Sequence, residues 1–301
     1  MNIFVTGGTG FIGKTLVTRL LEQGYNVYVL TRHAENFQNQ SSLKYVQGNL
    51  KDVSLLEYMF REIKPQVLIH LAWEGLPEYS LQISCQNLNY GIDLFYIAAK
   101  NACSTIISTG SCWEYESRKG KITEKSKLNS SAFFPAVKNS LRLIGKAIAH
   151  ENKINFYWLR LFYVYGPGQR STSLIPYILN SIKKGKIIRI NSPNNKNDFV
   201  YVDDVAKAIS SVIESKPDDT TYNIGSGSLT SIKDIVYYIY SLFHRDLERP
   251  VSEMLNTGIN GIVEPDAFFA DLSKIFNHTG WKAEYSIESG IKVLFNNLNH
   301  I

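Results

Sequence analysis

The chain has 301 residues, 44% of them hydrophobic, with a formal net charge of +5. That length suits one large domain or two ordinary ones around a packed core. The basic residues are scattered, which argues against a nucleic-acid partner and suits an anionic small molecule.

Three cysteines (Cys85, Cys103 and Cys112) lack metal-ligand spacing, so they read as reduced thiols and no metal is expected. No charged segment leads into an apolar stretch at the N-terminus, and no apolar run reaches 18 residues. A cytoplasmic protein with no signal peptide and no membrane partner is therefore expected.

In chain order, Ile3-Phe4-Val5 predicts a buried strand. Leu16, Val17, Leu20 and Leu21 follow at helical spacing, and Gly24 stops that helix. Further strands are predicted at 27–30, 43–46, 65–71 and 105–108, with helical patterns at 87–101 and 136–151. Strand and helix alternating in this way predict an α/β fold with a doubly wound parallel sheet of Rossmann type. Both faces of such a sheet are covered, hence the unbroken apolar strands. After Tyr165 the chain becomes richer in loop signals, such as Gly166-Pro167-Gly168, the polar run 191–197 and Gly225-Ser226-Gly227. A dinucleotide-binding domain over 1–165 and a smaller, mainly substrate-binding α/β lobe over 166–301 are predicted, with segments free to cross. No internal repeat or low-complexity tract is present.

Thr6 to Gly13 (TGGTGFIG) joins the first strand to the first helix, with Gly7, Gly10 and Gly13 spaced G-x-x-G-x-x-G. Such glycines permit a tight turn, close approach of backbone to a pyrophosphate, and close helix packing, while the helix N-terminus offers free N–H groups. The same stretch contains Gly8-x-x-x-x-Gly13-Lys14-Thr15, a literal P-loop. A nearby strand ending in an acid is missing, since 67–71 ends in His70-Leu71 followed by Ala72, so the dinucleotide reading is preferred. The second strand ends in Leu30-Thr31-Arg32-His33. With no acid there for ribose hydroxyls and Arg32 available for a 2′-phosphate, NADP is expected over NAD. The alternative is a solvated surface Arg32.

These features continue down the chain as Gly48-Asn49-Leu50, His70-Leu71-Ala72, Asn87, Ser111, Arg160, Tyr165-Gly166-Pro167-Gly168, DFVYVDDV at 198–205, YNIG at 222–225 and Gly280-Trp281. In this set the chain resembles the extended short-chain dehydrogenase/reductase family: nucleotide-sugar epimerases, dehydratases and 4-ketoreductases. The resemblance implies that Gly7, Gly10, Phe11, Ile12 and Gly13 cradle the cofactor. Asn49 and Leu50 would lie near adenine, and Leu71, Ala72, Asn87, Thr109 and Lys138 would line the rest of its path. It further implies a nucleotide-diphosphate sugar as partner, held by Trp73, Cys112, Trp113, Tyr163 and Leu174, with Arg170 and Arg189 for the diphosphate.

The family's catalytic set is a Ser or Thr, a Tyr, and a Lys four residues after the Tyr. Hydride moves between the nicotinamide and a sugar carbon while a proton moves on or off the oxygen. A phenol serves better when an ammonium makes it more acidic, and a serine hydroxyl polarises the oxygen. Ser111 and Lys138 match, but position 134 is Phe where the family has Tyr. Three readings stay open: an engineered Tyr→Phe change; a natural variant using another acid such as Tyr163, Cys112 or a water; or a catalytically silent homologue. The literal Tyr115-x-x-x-Lys119 lies too close to Ser111 and reads as a loop. Asp203 is expected to cap a helix and His70 to be a satisfied core histidine.

Three features favour an NADP-dependent 4-ketoreductase of a nucleotide-linked 4-keto-6-deoxysugar, feeding surface-polysaccharide or lipopolysaccharide precursors. They are Arg32, the absence of a carboxylate at 112–113 where dehydratases carry Asp-Glu, and the compact chain. A 4-epimerase and a non-catalytic NADP-binding homologue are the alternatives. A homodimer through helices around 87–101 and 136–151 is expected, with Ile97, Leu141 and Ile148 as candidate buried positions.

Overall fold

A computed structural model describes residues 1–101, 103–218, 220–243, 255–256 and 266–299. β1 (Asn2–Thr6) leads into α1 (Phe11–Glu22), which buries Leu16, Val17 and Leu20. Gly24, at φ +78°, turns the chain into β2 (Asn26–Thr31), and β3 (Leu43–Gln47) follows. α2 (Val53–Ile63), capped by the Asp52 carboxylate, leads to β4 (Val67–His70). α3 (Leu81–Lys100), capped by Ser80, leads to β5 (Thr105–Ser111). Next come β6 (Lys119–Ile122), α4 (Phe133–Asn152), β7 (Asn155–Leu161), β8 (Tyr163–Tyr165) and α5 (Leu174–Lys183). Short strands β9 (Ile188–Arg189), β10 (Lys196–Asn197) and β11 (Phe199–Tyr201) precede α6 (Val202–Ser215). The chain continues through β12 (Thr221–Ile224), β13 (Thr230–Ser231), α7 (Ile232–Phe243) and β14 (Leu255–Asn256). β15 (Ala267–Ala270), α8 (Ser273–Thr279) and α9 (Ile287–Asn299) complete it.

Seven strands form one parallel sheet in the order β3-β2-β1-β4-β5-β7-β12. This is the predicted Rossmann-type architecture. Successive side chains of a strand point to opposite faces, so Ile3 and Val5 join α1 and α6 in one core, while Phe4 joins α2, α3 and α4 in the other. A third cluster is built from α5, α7 and α9. Segments cross between the layers: β12 is an edge strand of the large sheet, and β6 pairs with β15 in a small one. The order reverses between β1 and β4, which opens a crevice at their C-terminal ends. No helix among the described residues is long and apolar enough to cross a membrane.

Two expectations are corrected. Asp203 does not cap α6, because Val202 already begins the helix and Tyr201 is the N-cap residue. The buried Asp204 carboxylate instead accepts the Glu284 and Tyr285 N–H groups. Ile97 and Leu141 are not on an outer face: α3 and α4 pack on each other, and Leu141 lies against Gly91. Ile148 packs partly buried against the same core. The exposed large side chains of these helices include Tyr96 and Leu143.

Candidate active site

A cleft of about 1070 Å³ runs along the C-terminal edge of the sheet. One end is lined by the glycine turn, Arg32, Asn49, Leu50, Leu71 and Ala72; the other by Trp73, Ser111, Cys112, Trp113, Phe134 and Tyr163, with Arg170 at its rim. The structure thus brings most of the sequence-predicted residues to one groove. Asn87, Thr109, Lys138, Leu174 and Arg189 are not on its surface. The first three stand one layer behind it, buried, and Arg189 is exposed on β9 with its N–H donating to the Tyr177 hydroxyl.

The glycine turn fits a pyrophosphate. Gly7 is at φ +73°, and a Cβ there would meet the Ala72 nitrogen at 2.7 Å; one on Gly13 would meet the Gly7 carbonyl oxygen at 2.1 Å. α1 therefore sits against the turn more closely than any side chain permits. α1 has no side-chain cap, so its first N–H groups remain available to an anion, reinforced by the helix dipole. Lys14, the lysine of the P-loop match, is an exposed residue of the first turn of α1.

At the other end Ser111 finishes β5. Its N–H donates to Glu114 Oε1 at 2.9 Å, and its Oγ accepts from the Trp113 N–H at 3.2 Å. Glu114 is fully buried and points away from the cleft, into the core. It also accepts from Trp158 Nε1 at 3.0 Å and from Arg160 Nε at 2.7 Å. Arg160 in turn donates to the Tyr115 hydroxyl at 3.0 Å, and Tyr115 donates to Asn223. The Tyr115-x-x-x-Lys119 match is thus structural: its phenol is spent inside the fold.

Phe134 lies in the first turn of α4 among aromatic rings, with centroid distances of 5.4 Å to Trp73, 4.9 Å to Tyr79 and 6.1 Å to Trp113. One turn on, Lys138 Nζ donates to the Thr109 carbonyl at 2.8 Å and lies 3.9 Å from the Trp73 ring centre. Burial lowers its pKa to about 7, with Glu114 opposing the shift. His70 is the expected core histidine: its Nδ1 shares a hydrogen bond of 2.7 Å with the Thr6 hydroxyl, and burial holds its pKa down at about 3. Burial pushes the Cys112 thiol and the Tyr163 phenol up to about 12, which makes both poor proton donors. Trp73 Nε1 and Gln169 Oε1 are buried without a hydrogen-bond partner among the described residues, a donor and an acceptor in the cleft wall.

Sequence reading missed Tyr79 and Glu74, both of which line the cleft. The available signal was positional: in open α/β sheets the segment after the strand beside the switch point faces the ligand. Arg170, predicted as a diphosphate clamp, donates to the Leu76 carbonyl at 2.7 Å. It thereby ties the segment beyond β8 to the one beyond β4.

A sequence profile of the NAD dependent epimerase/dehydratase family matches residues 3–225. The chain belongs to this family. It is 26% identical to the CDP-abequose synthase of Salmonella typhimurium, over 98% of each chain. With the dTDP-4-dehydro-6-deoxyglucose reductase of Escherichia coli it shares 25%, over 98% of this chain and 97% of the other. In fold it is similar to the UDP-glucose 4-epimerase of Thermotoga maritima, with a TM-score of 0.84, 23% identity and full coverage of both chains. The dTDP-glucose 4,6-dehydratase of Bacillus anthracis, solved with NAD, also has a TM-score of 0.84, at 23% identity over 99% of this chain and 97% of that one. The family is one of NAD-dependent, oxidoreductase-type enzymes.

Proposed function

We propose that this family member is an NADP-dependent 4-ketoreductase of a nucleotide-linked 4-keto-6-deoxysugar, supplying precursors of surface polysaccharide. The observation that carries the reading is the orientation of Glu114. Dehydration within this family needs an acid beside the hydroxyl residue, and the carboxylate next to Ser111 is turned into the core and neutralised by Arg160. The wall around Phe134 is aromatic instead (Trp73, Tyr79, Trp113), an apolar surface suited to a sugar carrying a methyl group. The relatives named above include a reductase of a 4-dehydro-6-deoxy sugar nucleotide, which points the same way.

Gly7, Gly10 and the N-terminus of α1 would hold the cofactor's pyrophosphate, and Arg32 its 2′-phosphate. When bound, the nicotinamide supplies the hydride. Ser111 hydrogen-bonds the sugar's carbonyl oxygen and polarises it. The proton that completes the alcohol comes from the Tyr79 hydroxyl on the same wall, and Lys138, from behind that wall, provides positive charge near the oxygen that gains it. Bound substrate excludes water between the aromatic rings, which strengthens both effects.

The test is cofactor stoichiometry with a panel of nucleotide 4-keto-6-deoxysugars. One NADPH consumed per sugar reduced supports the reading. Interconversion of 4-epimers without net oxidation would refute it in favour of the epimerase; a dTDP-L-rhamnose 4-epimerase of Burkholderia thailandensis is 24% identical, over 96% of this chain and 92% of its own. Binding without turnover would make the chain a non-catalytic homologue. A homodimer is proposed through the outer faces of α3 and α4, where Tyr96 and Leu143 are exposed; a monomeric mass by light scattering at micromolar concentration would refute it.

A further inference from the structure

Arg32 does not stand free. Its Nη1 lies 3.6 Å from Glu74 Oε1. The pair links the residue after β2 to the segment after β4, and it spans the glycine turn because β2, β1 and β4 are neighbours in that order. Both residues line the cofactor half of the cleft.

Glu74 is held in place from behind. Asn87, buried on α3, accepts the Glu74 N–H at 2.7 Å through Oδ1 and donates to the Glu74 carbonyl at 3.0 Å from Nδ2. Gln86 Nε2 donates to Glu74 Oε2 at 3.3 Å and to the Tyr90 hydroxyl at 3.0 Å, leaving Oε1 to face the guanidinium. The Glu74 side chain is 25% exposed against 65% for Arg32, so the carboxylate is the fixed member of the pair.

We propose that Glu74 is a specificity-determining residue for the cofactor, holding Arg32 by its carboxylate and competing with the 2′-phosphate of NADP for it. This deepens the cofactor part of the reading above and rests on it. With an unphosphorylated ribose the ion pair stays intact and no cation is left unpaired. A 2′-phosphate, carrying nearly two negative charges, must draw Arg32 away and then sits beside a fixed carboxylate of the same sign. The acid that is missing after β2 is thus supplied from the β4 side. The preference for NADP that Arg32 creates is narrowed, so that NAD remains usable.

The test is titration calorimetry of the full-length protein with 2′,5′-ADP and 5′-AMP, for the unmodified chain, Glu74→Gln and Arg32→Ala. Glu74→Gln is expected to tighten 2′,5′-ADP roughly fivefold, the scale of an exposed ion pair, and to leave 5′-AMP nearly unchanged. In the Arg32→Ala background the same change should bring a clearly smaller gain, the part due to relieved like-charge repulsion alone; an undiminished fivefold gain there would overturn the competition for Arg32. Raising the salt concentration should shrink the gain, because the charges are partly exposed. Glu74→Asp, one methylene shorter, should act in the same direction to a smaller extent, and serves if the glutamine variant does not fold. Equal effects on both ligands, or none on either, would overturn the role of Glu74 while leaving the cofactor reading intact. If the unmodified chain binds neither ligand, both inferences fall together.

Discussion

Phe134→Tyr adds a phenol where the resemblance implies one, in the cleft that Ser111 also lines. Lys138 Nζ lies 6.0 Å from the Phe134 ring centre, and the ring lines the cleft. Unit charges about 6 Å apart attract by about 3 kcal/mol at an effective dielectric of about 20. That attraction favours the phenolate formed as the proton passes to the sugar oxygen. A positioned general acid contributes a factor of roughly 100 or more, equivalent to about 2.7 kcal/mol of barrier, so the available attraction matches the expected gain. Because burial lowers the Lys138 pKa to about 7, its ammonium is present below that pH and lost above it. The advantage of the tyrosine should therefore be greatest in mildly acidic buffer and decline as pH rises through neutrality. The assay is NADPH oxidation with the 4-keto-6-deoxysugar panel, the two proteins side by side, with substrate affinity measured separately and expected to change little. Ordinary turnover by the Phe134 protein, with nothing gained from tyrosine, would refute the reasoning and assign proton transfer to another group.

Tyr79→Phe tests the nearest such group: its ring packs on Phe134, it lines the cleft, and its loss should reduce any turnover by the Phe134 chain at least tenfold, of the order of a general acid's contribution. Unchanged kcat would remove Tyr79 from consideration. Lys138→Met should abolish activity yet stabilise the fold at neutral pH, since the burial cost of the ammonium outweighs its Thr109 hydrogen bond and its contact with the Trp73 ring. The sign follows from linkage: the lysine pKa is lower folded than unfolded, so the unfolded chain binds more protons between about pH 7 and 10.5 and stability rises with pH across that window. Urea unfolding at the two ends of the window should show this rise in the parent and lose it in the variant. Gly13→Ala should cost about 1–3 kcal/mol by overpacking and eliminate dinucleotide binding, because its Cβ would lie 2.1 Å from the Gly7 carbonyl oxygen. A normal melting temperature with retained NADPH fluorescence enhancement would contradict that geometry.

Features governed by short-range rules were legible in the order of the residues. Period and punctuation give the order of strands and helices, from which a parallel sheet follows. The glycine turn is a contiguous string whose function depends on its own backbone geometry and the strand and helix flanking it. Ser111, Phe134 and Lys138 are legible for the same reason: one ends a strand, and the other two are a turn apart on one helix. The absence of a phenol at 134 needs no structure to be noticed.

Which charges and rings meet depends on the folded arrangement of distant segments. Arg32 and Glu74 are 42 positions apart and become partners because the strand order places β2 and β4 on either side of β1. The aromatic wall gathers Trp73 and Tyr79, Trp113 and Phe134 from three separate segments, and no local pattern encodes their convergence. Glu114 shows the point most directly. In sequence it is an acid three residues from Ser111, as ready to face a substrate as the core. Its direction is set by Trp158 and Arg160 on β7, which pairs with β5 and adds two donors to the Ser111 N–H of β5 for a carboxylate that could not otherwise be buried. A hydrogen-bonding group goes where partners satisfy it, and partners on different strands exist only once the sheet has formed.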